Sequence, residues 1–307
     1  VDVAAETRGW ELEVGDHSGA LSSRAVLRSV HLRQQTQGLD IEITELSLAP
    51  WSWEVELQKP HVRWQQTPTE EPTATTKRDT VKLPLADLPV VVVVGGAFEF
   101  GAGDRVIEAS DINARLSPTE EQMAEVDLSL GNWSIRTDAH TIASGSARSR
   151  WHLTTTTVQL QEAFIRAVAG ETQATLRGTG VVELAPTLDI SSSFIIEGAT
   201  HGLEQLWLDA SVEGSLAPLV LQVTAQGEAT HPSLGPLKAQ AAGSIDSALV
   251  RADSFDVDVA GGHVAGGATW RSAGGLDVVA RIDGIGLTGL TNERLAGILQ
   301  GRVELHG

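Results

Sequence analysis

The chain has no cysteine and no tyrosine among its 307 residues, and its aromatics are eight Trp and five Phe. The lack of thiols excludes disulfides, thiolate metal sites and cysteine nucleophiles together, and is compatible with an oxidising compartment. Basic residues are also scarce: 22 Lys and Arg stand against 40 Asp and Glu, a formal charge of −18. They are scattered, whereas a polyanion needs them clustered, so nucleic acid is not an expected partner. No apolar run reaches the ~18 residues of a membrane helix. The greasiest stretch, Leu83 to Phe98, contains Asp87, two prolines and the pair Gly95-Gly96. The nine histidines include no H-x-H or H-x-x-x-H spacing, so a local zinc site has no support. There is no G-x-S-x-G elbow either. Gly15 to Gly19 sets His17 beside Ser18, but neighbours on a strand point to opposite faces.

What the chain has in quantity is alternation. Leu39, Ile41 and Ile43 alternate with Asp40, Glu42 and Thr44, and Trp51, Trp53, Val55 and Leu57 with Ser52, Glu54 and Glu56. A period of two marks a strand with one apolar and one wet face. The pattern returns at Val126, Leu128 and Leu130, at Leu219, Leu221 and Val223, and at Phe255, Val257 and Val259. These residues are the candidates for one continuous apolar surface. The acids fall mostly on the polar positions, the pattern of a solvated outer face. Core packing is the default reading of Trp51 and Trp53; lining a lipid groove, or its mouth, is the sharper one.

Strands are expected over 10–14, 25–33, 39–48, 51–57 and 62–64. The Thr-, Pro- and charge-rich stretch from Thr67 to Thr80 has almost nothing apolar to bury. The organisation is therefore an N-terminal β segment over 1–66, a flexible linker or loop over 67–80, and an extended β-sheet over 81–307 that continues beyond the chain. The chain opens on Val1, so a signal peptide or membrane anchor ahead of it is expected. Helical signals are few: one turn at Pro118 to Met123, an amphipathic helix at Leu160 to Ala169, and a third at Thr291 to Leu299. At about 12 residues per strand and turn the chain holds about 25 strands. A closed sandwich needs fewer, whereas an extended sheet curled along its length accommodates them.

Two motifs attract attention. Gly284 to Gly289 reads G-x-G-x-x-G after a strand, with Glu304 twenty positions beyond Gly284, the layout of a dinucleotide-binding turn. The helix to follow would be about nine residues, and nothing upstream reads as βαβ, so the motif is set aside. Asp253, Asp256 and Asp258 resemble a calcium loop, but Phe255, Val257 and Val259 interleave with the last two, which places those on the wet face of a strand.

The stretch GALSSRAVLRSVHLR from Gly19 to Arg33, followed by GLDIEITELSLAPW from Gly38 to Trp51, resembles the opening of the periplasmic region of the TamB/AsmA-like family, a group within the bridge-like lipid-transfer proteins. The order of later events is also similar: a strand ending near Val62, the Thr/Pro-rich loop, a restart at LPLADLPV (Leu83 to Val90), and GAFEFGAGDRVIEASDIN (Gly96 to Asn113). The closing ILQGRVELHG, from Ile298, resembles the family's G-x-V-x-L-x-G units. The resemblance implies a periplasmic segment, anchored to the inner membrane through a part absent from this chain. It also implies phospholipid acyl chains as cargo and an outer-membrane barrel protein of the assembly class as partner.

The fold expected is mainly β: an elongated, curled, taco-like antiparallel or repeated sheet with an apolar groove and a few short helices. The function expected is a conduit carrying phospholipids between inner and outer membranes, which also aids outer-membrane protein assembly. No enzymatic activity, metal or cofactor is expected. The competing reading is a structural or adhesive β-repeat protein whose apolar faces close on one another and stay dry. Sheet edges that pair with client strands are a third.

Overall fold

The computed structural model describes residues 3–7, 10–20, 23–34, 38–65, 85, 88–102, 105–119, 122–137, 140–184, 188–200, 202–271, 275–286 and 297–306. All regular structure among them is strand, in nineteen elements. The strands run to 15 residues, longer than 12 residues per strand and turn allows, and so are fewer than the sequence spacing predicts. The chain divides into two compact units, one comprising Val1–Thr156 with Leu160–Gly170, the other Thr157–Gln159 with Glu171–Gly307.

The first unit holds β1 (Val3–Thr7), β2 (Trp10–Gly19), β3 (Ala25–Gln34), β4 (Leu39–Ala49), β5 (Glu54–Gln65), β6 (Val90–Ala102), β7 (Arg105–Thr119), β8 (Met123–Thr137), β9 (Thr141–Leu153) and most of β10 (Thr157–Ala169). From β1 to β9 each strand pairs with the next, antiparallel in every case but one. The exception is β5 with β6, which run parallel from Glu54↔Val90 to Gln65↔Gly101.

The second unit holds β11 (Thr172–Glu183), β12 (Asp189–Thr200), β13 (Leu203–Leu216), β14 (Leu219–His231), β15 (Gly235–Asp246), β16 (Leu249–Val259), β17 (Gly262–Arg271), β18 (Leu276–Gly286) and β19 (Ile298–His306). Each pairs antiparallel with the next. Short turns set this meander. Ala260 and Gly261, both with positive φ (48° and 75°), form the two-residue loop between β16 and β17, the backbone that matches strand twist. Asp246 Oδ1 accepts from the Ala248 and Leu249 amides to close the next turn back.

Among the described residues, none of the helices expected from the sequence forms. Leu160 to Ala169 lies inside β10, because Val158 and Leu160, then Ala163, Ile165 and Ala167, satisfy a period of two once a slip is allowed. Pro118 and Thr119 end β7 and Met123 opens β8. Of the third candidate, Ile298 and Leu299 open β19 and 291–296 lie outside the described residues. Residues 67–80 also lie outside them. Gly284 to Gly286 belong to β18, so the Gly-rich motif begins on a strand rather than in a turn.

Candidate functional site

Residues directly opposite one another on paired strands share a face of the sheet. In the first unit this rule joins the apolar positions into rows. Val55 stands beside Val91, Val91 beside Leu116, and Leu116 beside Val126. Leu57, Val93, Ala114 and Leu128 make a second row. In the third, Val30 opposes Ile43, Ile43 opposes Pro60, and Gly96 and Leu130 flank Ile112. Ile41 lies between Leu32 and Val62, and Leu39 opposes Trp64. The Trp64 ring is 5.1 Å from that of Phe100.

A break in the alternation underlies these rows. Apolar residues fall at 39, 41 and 43 of β4 but then at 46 and 48, and β3, β5 and β6 slip by one residue in the same way. The slip occurs where Ser29, Lys59 and Gly95 adopt positive φ (52°, 47° and 63°). Ser29 and Lys59 lie level with Thr44 across β3, β4 and β5. Such a residue absorbs one extra position without turning the following side chains over. Accordingly a Cβ placed on Gly96 would sit 3.2 Å from both Pro60 Cγ and Val93 Cγ1, so residues on either side of the slip line one face. Asp111, with φ 54°, continues the line in β7, and its Oδ2 accepts from Asn132 Nδ2 at 3.1 Å.

Trp51 and Trp53 are not part of these rows. The sequence places them on a strand with Val55 and Leu57, but they occupy the turn before β5 and are 84% and 57% exposed. Pro50 begins this turn, and the positive φ of Trp53 (48°) is incompatible with an extended strand there.

The second unit carries a face of the same kind. Phe194, Ala210, Ala225, Ala241, Phe255, Gly266, Ala280 and Val303 stand side by side from β12 to β19. Val223 lies beside this row with Val212 and Gly243 as neighbours, and Leu221 lies between Gly214 and Ile245. Leu219 opposes Leu216, Val257 lies between Ala239 and Val264, and Val259 opposes Gly262. Alternation alone misses the contributions of β12, β13, β15, β17, β18 and β19. Their apolar positions are diluted by Gly, Ala and Ser set against large residues on neighbouring strands.

Little of this apolar surface is buried. Val30, Ile43 and Leu85 in the first unit and Ala210, Ala280 and Ile285 in the second are among the few buried apolar residues, and no large side chain is fully enclosed among the described residues. Among the described residues, the substantial contacts between strands run between sheet neighbours. Trp133 Nε1 is buried without a hydrogen-bond partner among the described residues, which costs free energy unless a ligand or water supplies an acceptor.

The opposite faces are charged. Arg24 pairs with Glu56, Arg150 with Asp127 and Lys238 with Glu228, each at 2.8 Å. Such exposed pairs contribute at most about 1 kcal/mol apiece. His263 bridges two carboxylates, with Nδ1 3.0 Å from Asp258 and Nε2 3.2 Å from Asp256. The hydrogen bond to Asp258 raises its pKa above the ordinary histidine value. Hydrogen bonds from His306 and then Arg271 hold Asp277 below the usual carboxylate range. The best-placed groups for a metal are His31, Asp40 and Glu42, whose ligand atoms lie within 4.8 Å of one another. Arg33 and Arg63 already approach Asp40 and Glu42, at 4.0 and 3.5 Å, and offset much of the negative charge a cation would need. No helix among the described residues is long and apolar enough to cross a membrane. Compared with known proteins, the chain matches no family model, no curated protein and no solved structure.

Proposed function

We propose that the chain is a segment of a periplasmic conduit that carries phospholipids between the inner and outer membranes, with acyl chains lying along its apolar sheet faces. The observation that carries this reading is the row from Phe194 to Val303, in which no polar side chain interrupts the apolar face across eight strands. A hydrocarbon chain laid on such a face gains about 0.8 kcal/mol for each CH₂ it buries. Small residues between the two phenylalanines leave a shallow lining, and the charged opposite face keeps the sheet in water. The scarcity of fully buried side chains favours an occupied face over one closed on itself.

By the resemblance set out above, the protein belongs with TamB/AsmA-like lipid-transfer proteins, is anchored to the inner membrane and meets an outer-membrane barrel protein. A role in outer-membrane protein assembly is compatible with β19, whose nine residues are all exposed. The conduit is tested by transfer of fluorescent phospholipid between donor and acceptor vesicles. The intact face is expected to accelerate transfer and Leu221→Asp to abolish the acceleration. Equal rates with and without the substitution would remove the apolar face of the second unit from the pathway.

A further inference from the structure

The turn joining β4 to β5 presents an unusual surface for a chain of this charge. Pro50, Trp51, Ser52 and Trp53 form its tip, with Trp51 the most exposed large apolar residue among those described. The first carboxylate after the tip belongs to Glu54, which already stands on β5. The uncharged residues Leu88, Pro89 and Val90 lie alongside, because the Val90 amide donates to the Trp53 carbonyl at 2.8 Å. The Trp53 amide donates to the Pro50 carbonyl at 3.3 Å, and Ser52 Oγ donates to the Ala49 carbonyl at 3.3 Å.

We infer that this turn inserts into the interfacial layer of a phospholipid bilayer. Indole prefers that layer because its ring is apolar and its N–H keeps a polar partner. Backbone groups entering lipid must carry their own hydrogen bonds, and this tip satisfies Trp53 at both its amide and its carbonyl. Its size is also decisive: a stable protein interface takes about 20–30 residues a side, whereas the uncharged tip offers fewer than half that number. The partner surface is zwitterionic phospholipid, since Glu54 and the net charge of −18 disfavour an anionic one. The inference concerns one end of the strands and does not depend on lipid moving along the apolar faces.

Flotation of the full chain with phosphatidylcholine vesicles tests it. Replacing both indoles (Trp51→Ser with Trp53→Ser) is expected to weaken vesicle binding by about tenfold or more, in keeping with the apolar area withdrawn. Tyrosine at both positions should keep most of the binding, and added phosphatidylglycerol should not strengthen it. Lys238→Gln, on the charged face of the second unit and away from the tip, should leave flotation unchanged. Circular dichroism checks that strand content survives; if the serine pair loses it, Trp51→Ser alone is read instead. Undiminished flotation of the serine variant overturns the inference, as does a wild-type chain that does not float. Sedimentation supplies the remaining outcome: a dimer that the serine pair converts to monomer, with flotation unaffected, would make the tip a contact between copies.

Discussion

Phe255 fills the space in front of Gly266, directly across the β16–β17 ladder: a Cβ on Gly266 would stand 2.8 Å from the tip of the Phe255 ring and 2.2 Å from the Val279 carbonyl oxygen. Large and small residues are thus fitted to one another along the apolar face of the second unit. Gly266→Ala should therefore destabilise the protein by about 1–3 kcal/mol through overpacking. Gly101, which has nothing within 4 Å of such a Cβ, provides the control, and Gly101→Ala should be close to neutral. Urea denaturation midpoints at constant slope compare the two, and equal costs would contradict the packing described.

The slip line of the first unit makes a second prediction. Ser29 holds φ at 52°, a conformation that β-branched residues strongly resist. Ser29→Val should cost about 1–3 kcal/mol, while Ser29→Gly should be neutral or stabilising. If both substitutions behave alike in thermal unfolding, the left-handed residue is not what holds Leu27 and Val30 on one face.

A third prediction concerns pH. Because Asp258 and Asp256 favour charged His263, its folded-state pKa lies above its unfolded one. The stabilisation it lends to β16 and β17 is fully present below pH ~6.5 and fades as pH rises through the raised value. Asp277 behaves inversely: its contribution is present above the ordinary carboxylate pKa and is lost as pH falls through its depressed value. Amide protection factors in β16 and β17, corrected for the intrinsic base-catalysed rise of exchange with pH, should therefore fall above neutrality in the wild type, and His263→Gln should remove that fall. An unchanged profile in His263→Gln would assign the dependence elsewhere.

Much of the apolar face is legible in the sequence, because a half-buried strand requires alternation and Leu219, Leu221 and Val223 supply it without interruption. Three things are not legible, each for a physical reason. Leu39 to Leu57 reads as nearly unbroken alternation, yet Thr44 and Glu45 carry a phase slip, and only the backbone at neighbouring Ser29 and Lys59 shows that the residues on either side of it keep one face. Trp51 and Trp53 keep the strand period while lying in a turn, because spacing alone carries no information about φ. Leu160 to Ala169 fits helical spacing through Leu160, Phe164 and Ala167, and the ladder resolves it as strand. Glycines such as Gly243 and Gly266 look like turn signals in one dimension, but in three they are positions where a neighbouring strand's backbone approaches too closely for a side chain.

The most direct test of the central claim is mass spectrometry of an organic-solvent extract of the chain purified without detergent. The account predicts phospholipid at one molecule per chain or more, lost when Leu221→Asp or Val257→Asp sets a carboxylate on the apolar face. A lipid-free, stable monomer would contradict it and would mean that the apolar faces are satisfied by protein alone.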